Sequence, residues 1–115
     1  MPRDVGWVTD RLLVGGTAVS CRRSTVGDGI PIVHIHGFAI AGGYLMPTAR
    51  LLARRRVNVV PDLPGYGHSQ RRDHVLGISE LAEALTAVLD TLGIEEAVLL
   101  GNSMGCPVAL EVAPR

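Results

Sequence analysis

Ala97-Val98-Leu99-Leu100-Gly101-Asn102-Ser103-Met104-Gly105 is a short aliphatic run that breaks into a turn flanked by two glycines, and an apolar stretch to Val112 follows it. A run without polar alternation suits a strand covered on both faces, as in a parallel sheet. The turn fits G-x-S-x-G, in which a serine on a tight, strained bend between strand and helix lifts its hydroxyl above the sheet edge. Chain passes so close to the bend that side chains at 101 and 105 would collide with it, which accounts for Gly101 and Gly105. The helix behind offers free N–H groups and the positive end of its dipole to developing negative charge. Ser103 is therefore the candidate nucleophile.

The same grammar repeats upstream. Ile30 to Ile35 is a second aliphatic run, closed by His36-Gly37, and Val57 to Val60 is a third, stopped by Pro61. Helical spacing at Leu45, Ala49, Leu52 and Ala53 predicts a helix over 45–56, with Pro47 tolerated in its first turn. Ile78, Leu81, Ala82, Leu85, Val88, Leu89 and Leu92 form a helical stripe, with Ser79 as expected N-cap and Gly93 as C′ stop. Residues 11–14 and 17–24 around Gly15-Gly16 read as a hairpin. Hairpin, then strands alternating with helices, predicts an α/β fold: a mostly parallel sheet with flanking helices. Ligands on such sheets gather at the carboxyl ends of the strands. The loops after Ile35, Val60 and Leu100 are thus the ones to watch, and three of the four aromatics, Phe38, Tyr44 and Tyr66, lie in or beside them.

His34-Ile35-His36-Gly37-Phe38 ends the first of these strands. A sharp turn at Gly37 lets the Phe38 N–H face Ser103, and with the Met104 N–H it would form a two-donor oxyanion hole. His36 is expected to support this loop and not to transfer protons. Cys106 reads as a small packing residue, since nothing nearby would lower its pKa. Pro107 would remove one early hydrogen bond if Ser103 caps the helix.

Three motifs together, His36-Gly37-Phe38, Asp62-Leu63-Pro64-Gly65-Tyr66-Gly67-His68-Ser69 and Gly101-Asn102-Ser103-Met104-Gly105, resemble the N-terminal part of the α/β-hydrolase fold superfamily over about residues 10–113. The flavour is that of serine esterases, cofactor-free perhydrolases and carbon–carbon bond hydrolases. The resemblance implies that Ser103 is the nucleophile, that Phe38 and Met104 supply the oxyanion N–H groups, and that residues 62–69 brace the site mouth. A serine at 103 argues against the dehalogenase and epoxide hydrolase branches, which carry Asp there. In this family the acid and the catalytic His follow the nucleophile in chain order. After Ser103 come Glu111 and no His, whereas His34, His36, His68 and His74 all precede it. The 115 residues thus read as one partial domain, 1–115, truncated after the nucleophile elbow. The strand over 97–100 would then be left as an exposed apolar edge.

Composition bounds the partners. Eleven basic residues, all Arg, balance eleven acidic ones, which argues against a nucleic-acid grip or a polybasic membrane anchor. No run reaches the length of a membrane helix, and no apolar region of a signal peptide survives Asp4, Asp10 and Arg11. A cytoplasmic setting is expected. Two cysteines are too few for a disulfide scaffold, no metal spacing occurs, and no phosphate-binding glycine loop supports a nucleotide, so neither metal nor cofactor is expected. The function expected is hydrolysis of a small-molecule ester or similar acyl substrate through an acyl-enzyme on Ser103, with base and acid beyond residue 115. The alternative is an inactive fragment, or an interaction module completed by another chain.

Overall fold

The computed structural model describes residues 6–37, 42–70 and 76–114. Among these residues five strands form one mixed sheet: β1 (Trp7–Val14), β2 (Thr17–Ser24), β3 (Ile32–Ile35), β4 (Asn58–Pro61) and β5 (Val98–Gly101), in the spatial order β1-β2-β4-β3-β5. β1 pairs with β2 and β2 with β4 antiparallel, whereas β3 runs parallel to both β4 and β5. The parallel part is the half that carries the candidate site. Gly15 and Gly16 both have positive φ, +55° and +79°. A two-residue hairpin loop twisted to suit its strands needs that conformation.

Among the described residues three helices clothe the sheet: α1 (Met46–Leu52), α2 (Ile78–Thr91) and α3 (Gly105–Val112). Successive side chains of a strand point to opposite faces. Val59 accordingly joins Val33 and Ile35 in the larger core cluster with Leu81, Leu85, Val88 and Val108 of α2 and α3. Its neighbour Val60 packs with Met46 and Ala49 of α1. The sheet is therefore covered by α2 and α3 on one face and by α1 on the other, as the alternating elements predicted.

Local differences from the expected elements have physical causes. The helix predicted over 45–56 is shorter, preceded by a 3-10 turn at Gly42–Leu45 and ended after Leu52. Its next carbonyls are taken elsewhere: Arg55 O accepts the Asp28 N–H at 3.1 Å and Arg56 O accepts Asn58 Nδ2–H at 2.9 Å. Pro61 ends β4 from inside it, opposite Cys21. A proline at the last position of a strand removes little from the ladder. The N-cap of α2 is Gly77, not Ser79, with the Gly77 N–H donating to Glu80 Oε1 at 3.2 Å. Its C-terminus follows expectation: Gly93 has φ +73°, Gly93 N–H donates to Asp90 O at 3.1 Å and Ile94 N–H to Leu89 O at 2.9 Å. That pair of bonds is a Schellman stop. β5 is an edge strand among the described residues, with Val98 43% and Leu100 42% exposed. Among the described residues no helix is long and apolar enough to cross a membrane.

Candidate active site at the carboxyl ends of the strands

The turn joining β5 to α3 has the geometry its glycines suggest. Ser103 has φ +55°, the only positive φ of a non-glycine among the described residues. A left-handed conformation at a residue with a Cβ costs about 1–2 kcal/mol and persists only where the surroundings impose it. The surroundings here are tight. A Cβ on Gly105 would stand 2.1 Å from Ile35 O, and one on Gly101 would stand 2.5 Å from Gly105 O. Asn102 N–H donates to Ile35 O at 2.9 Å, so the bend hangs from the end of β3. Gly105 N–H and Cys106 N–H donate to Asn102 O and Ser103 O at 2.8 and 2.9 Å, tightening the start of α3. The Ser103 side chain is exposed, and the Met104 N–H donates to no described backbone carbonyl.

The turn after β3 lies against this bend. A Cβ on Gly37 would come within 3.0 Å of Ser103 Cβ and 3.6 Å of its Oγ. A side chain at 37 would crowd the bend, so glycine lets the two turns lie this close. Phe38, assigned the first oxyanion N–H, lies outside the described residues, as does His74. Of the three loops singled out in the sequence, the structure thus brings two into direct contact, with Ser103 at the junction.

The third loop holds the second in place. His36 is fully buried. Its Nδ1 lies 2.9 Å from Gly37 O, and its Nε2 accepts the Leu63 N–H at 2.9 Å. The ring is therefore the neutral tautomer with hydrogen on Nδ1. Tyr66 meets it edge-on, with ring centroids 5.0 Å apart. Burial holds the His36 pKa below its ordinary value, opposed by the bond to Gly37 and by the charge of Asp62. Asp62 is also fully buried. Its Oδ1 accepts the Gly42 N–H at 2.7 Å, its Oδ2 accepts the His68 N–H at 3.0 Å, and Arg22 Nη1 stands 3.5 Å away. Ser69 Oγ donates to Asp62 O. The partners of His36 and Asp62 were not legible in the sequence. The one signal was an acid and a run of turn residues directly after a buried strand.

The remaining titratable groups near the sheet are structural. His34 is buried in β3 with Nε2 2.6 Å from Asn58 Oδ1, while Nδ1 has no partner among the described residues. Burial lowers its pKa as well. Cys21 is buried, and burial followed by the charge of Asp10 pushes its thiol up to about 12. Cys106, expected to pack, is exposed, with Sγ 3.3 Å from Gly101 O. It falls beside the edge strand, where no described element covers it. Pro107 costs no intrahelical bond, because α3 starts at Gly105 and the first turn has no internal acceptors for its N–H groups. No group of three or more His, Cys, Asp or Glu able to hold a metal occurs among the described residues.

A family model described as alpha/beta hydrolase fold matches residues 30–115. The dihydrolipoyllysine-residue acetyltransferase component of the acetoin cleaving system of Pseudomonas putida is 42% identical over 86 residues, 74% of this chain and 23% of that protein. The pimeloyl-[acyl-carrier protein] methyl ester esterase of Vibrio cholerae is 38% identical over 88 residues, 76% of this chain and 32% of that protein. A crystal structure of a variant of the N-acyl homoserine lactonase AidH, complexed with N-hexanoyl homoserine lactone, superposes with a TM-score of 0.86 at 28% identity, covering 94% of this chain and 41% of that one. The chain thus spans a quarter to a third of the length of these two curated relatives.

Proposed function

The chain belongs to the alpha/beta hydrolase fold family, and from that premise we propose that the full-length protein is a serine hydrolase of esters or similar acyl compounds. One observation carries the reading: Ser103 is held at φ +55° between two glycines that cannot bear a side chain, with the Gly37 turn folded onto it. In this reading Ser103 Oγ attacks the acyl carbon and gives its proton to a base. The carbonyl oxygen takes up the negative charge and rests on the N–H groups of Phe38 and Met104. Collapse expels the alcohol, which takes a proton, and water then releases the acid from the acyl-enzyme. His34 and His36 are buried in structural hydrogen bonds, so the reading assigns base and acid to residues after 115, in the family's order. The substrate is a small molecule with a small or medium apolar acyl group, in keeping with the aliphatic and aromatic residues of the loops and with relatives named for ester and lactone chemistry. No cofactor takes part.

The test is release of nitrophenol from a series of p-nitrophenyl acyl esters by the full-length protein and by Ser103→Ala. The reading expects the substitution to lower kcat/KM by roughly 10⁴-fold or more. Hydrolysis that survives it would contradict the reading. The exposed Val98 and Leu100 of β5 favour a second reading, an inactive interaction module whose edge is completed by another chain. Absence of any Ser103-dependent turnover in the full-length protein would favour that one.

A further inference from the structure

We propose that the outer face of α1, with the arginines that follow it, docks on an anionic lipid surface. Ser103 and its neighbours take no part, and the face would serve an inactive protein as well as a hydrolase. The first support is the placement of charge. No acidic residue occurs between Gly29 and Pro61, a stretch that carries Arg50, Arg54, Arg55 and Arg56, all exposed. No Arg or Lys occurs between Asp73 and Pro114, where Glu80, Glu83, Asp90, Glu95, Glu96 and Glu111 are exposed. The first stretch supplies α1, and the second supplies α2 and α3 on the opposite face of the sheet. A chain whose charges cancel in sum is therefore basic on one side and acidic on the other. The even balance that spoke against a membrane partner describes the sum and not the surfaces. None of the four arginines forms an ion pair with a described acid. Asp28 meets the segment through its backbone, with its N–H donating to Arg55 O at 3.1 Å, and Arg56 Nη1 donates to Ile30 O at 3.4 Å.

The second support is that the middle of the basic face is apolar. Met46, Ala49 and Ala53 turn inward and are buried. At 3.6 residues per turn Leu51 then lies on the far side of the helix. It is 69% exposed, and Leu52 on the flank is 37% exposed. Tyr44, just before α1, is 69% exposed as well. A lone exposed leucine is ordinary. Leucines and a tyrosine among unpaired guanidinium groups are the composition of helices that lie in a membrane interface. The leucine enters the boundary of headgroups and acyl chains, and the guanidinium groups bond phosphate oxygens. The acidic side then faces away from the negative surface, which orients the molecule. An acidic protein or a nucleic acid satisfies the arginines but offers Leu51 no acyl phase. α1 runs from the carboxyl end of β3 back to the amino end of β4, which is parallel to β3. Arg54 to Arg56 thus lie at the end of the sheet away from Ser103, and docking leaves the Ser103 turn open.

The experiment is co-sedimentation of the full-length protein with vesicles of phosphatidylcholine alone and with mixed phosphatidylcholine–phosphatidylserine vesicles, at low and at high salt. Binding is expected with the mixed vesicles only, and weaker at high salt. Arg50→Gln, Arg54→Gln and Arg55→Gln should each lower the partition coefficient about 5-fold. Leu51→Ser should lower it roughly 10-fold, whereas Leu51→Trp should keep it. Glu83→Gln, on the acidic side, should leave it within about 2-fold. Each substituted residue is exposed, so folding is kept. No binding, equal binding to both vesicle compositions, or binding indifferent to the arginines would overturn the proposal. So would binding of soluble polyglutamate or duplex DNA that needs the same arginines while Leu51→Ser changes nothing, because the partner would then be an acidic macromolecule and not a bilayer. Turnover of p-nitrophenyl esters reads the hydrolase separately. Arginine variants that lose lipid binding are expected to keep it, and a protein that binds lipid but hydrolyses nothing would remove the hydrolase reading alone.

Discussion

Ser103 is where local chemistry and backbone strain meet. A φ of +55° is one that glycine adopts freely and other residues do not. Serine at this position therefore trades stability for a hydroxyl. Two substitutions that both delete the hydroxyl should consequently differ. Ser103→Gly is expected to be more stable than Ser103→Ala by about 1 kcal/mol, read as a higher urea midpoint at unchanged slope. Equal midpoints would mean that the bend is relaxed. The flanking glycines leave no such choice: Gly105→Ala would drive a methyl group to 2.1 Å from Ile35 O. It is expected to cost about 3 kcal/mol or more, or to prevent folding.

At the scale of elements, each strand and helix was legible where one pattern governed it. The stripe from Ile78 to Leu92 marks α2, and Gly93 marks its stop because a Schellman turn needs positive φ there. Gly93→Ala should cost about 1 kcal/mol, read as a lower urea midpoint, with no change at the site some distance away along the chain. Boundaries were less legible where a carbonyl had two possible owners. Residues 53–56 have helical spacing, yet Arg55 O and Arg56 O go to Asp28 and Asn58, partners that only the tertiary fold supplies. Ser79 is a good N-cap residue by type, but the chain enters α2 two residues earlier at Gly77. The site divides in the same way. Gly101, Ser103 and Gly105 are a local motif and could be read as one. The contact of Gly37 with Ser103, the bond of Leu63 to His36 and the bond of Gly42 to Asp62 join residues 20 to 66 positions apart. No periodicity reports such pairs.

For the whole molecule, the buried imidazoles of His34 and His36 tie stability to pH. His34 and His36 both have pKa values lowered by burial, from an ordinary value of 6.5. The unfolded chain therefore takes up protons that the folded chain resists. Stability is fully present above about pH 6.5 and declines as pH falls below it. Urea midpoints at pH 7.5 and 5.5 should show the decline, and a midpoint that rises toward acid would contradict it. Among the described residues the sheet presents a half-exposed apolar edge at β5, while its faces are packed by α1 on one side and by α2 and α3 on the other. The parallel half of the sheet is thus where the fold, the strained bend and the two loop turns converge.

In the proposed reaction the Ser103 hydroxyl is the reacting group. Peptide mapping by mass spectrometry, after the full-length protein has met a fluorophosphonate, tests it most directly. A single covalent adduct on Ser103 is expected, lost in Ser103→Ala and in heat-unfolded protein. An adduct on another residue, or the same labelling after the substitution, would contradict it.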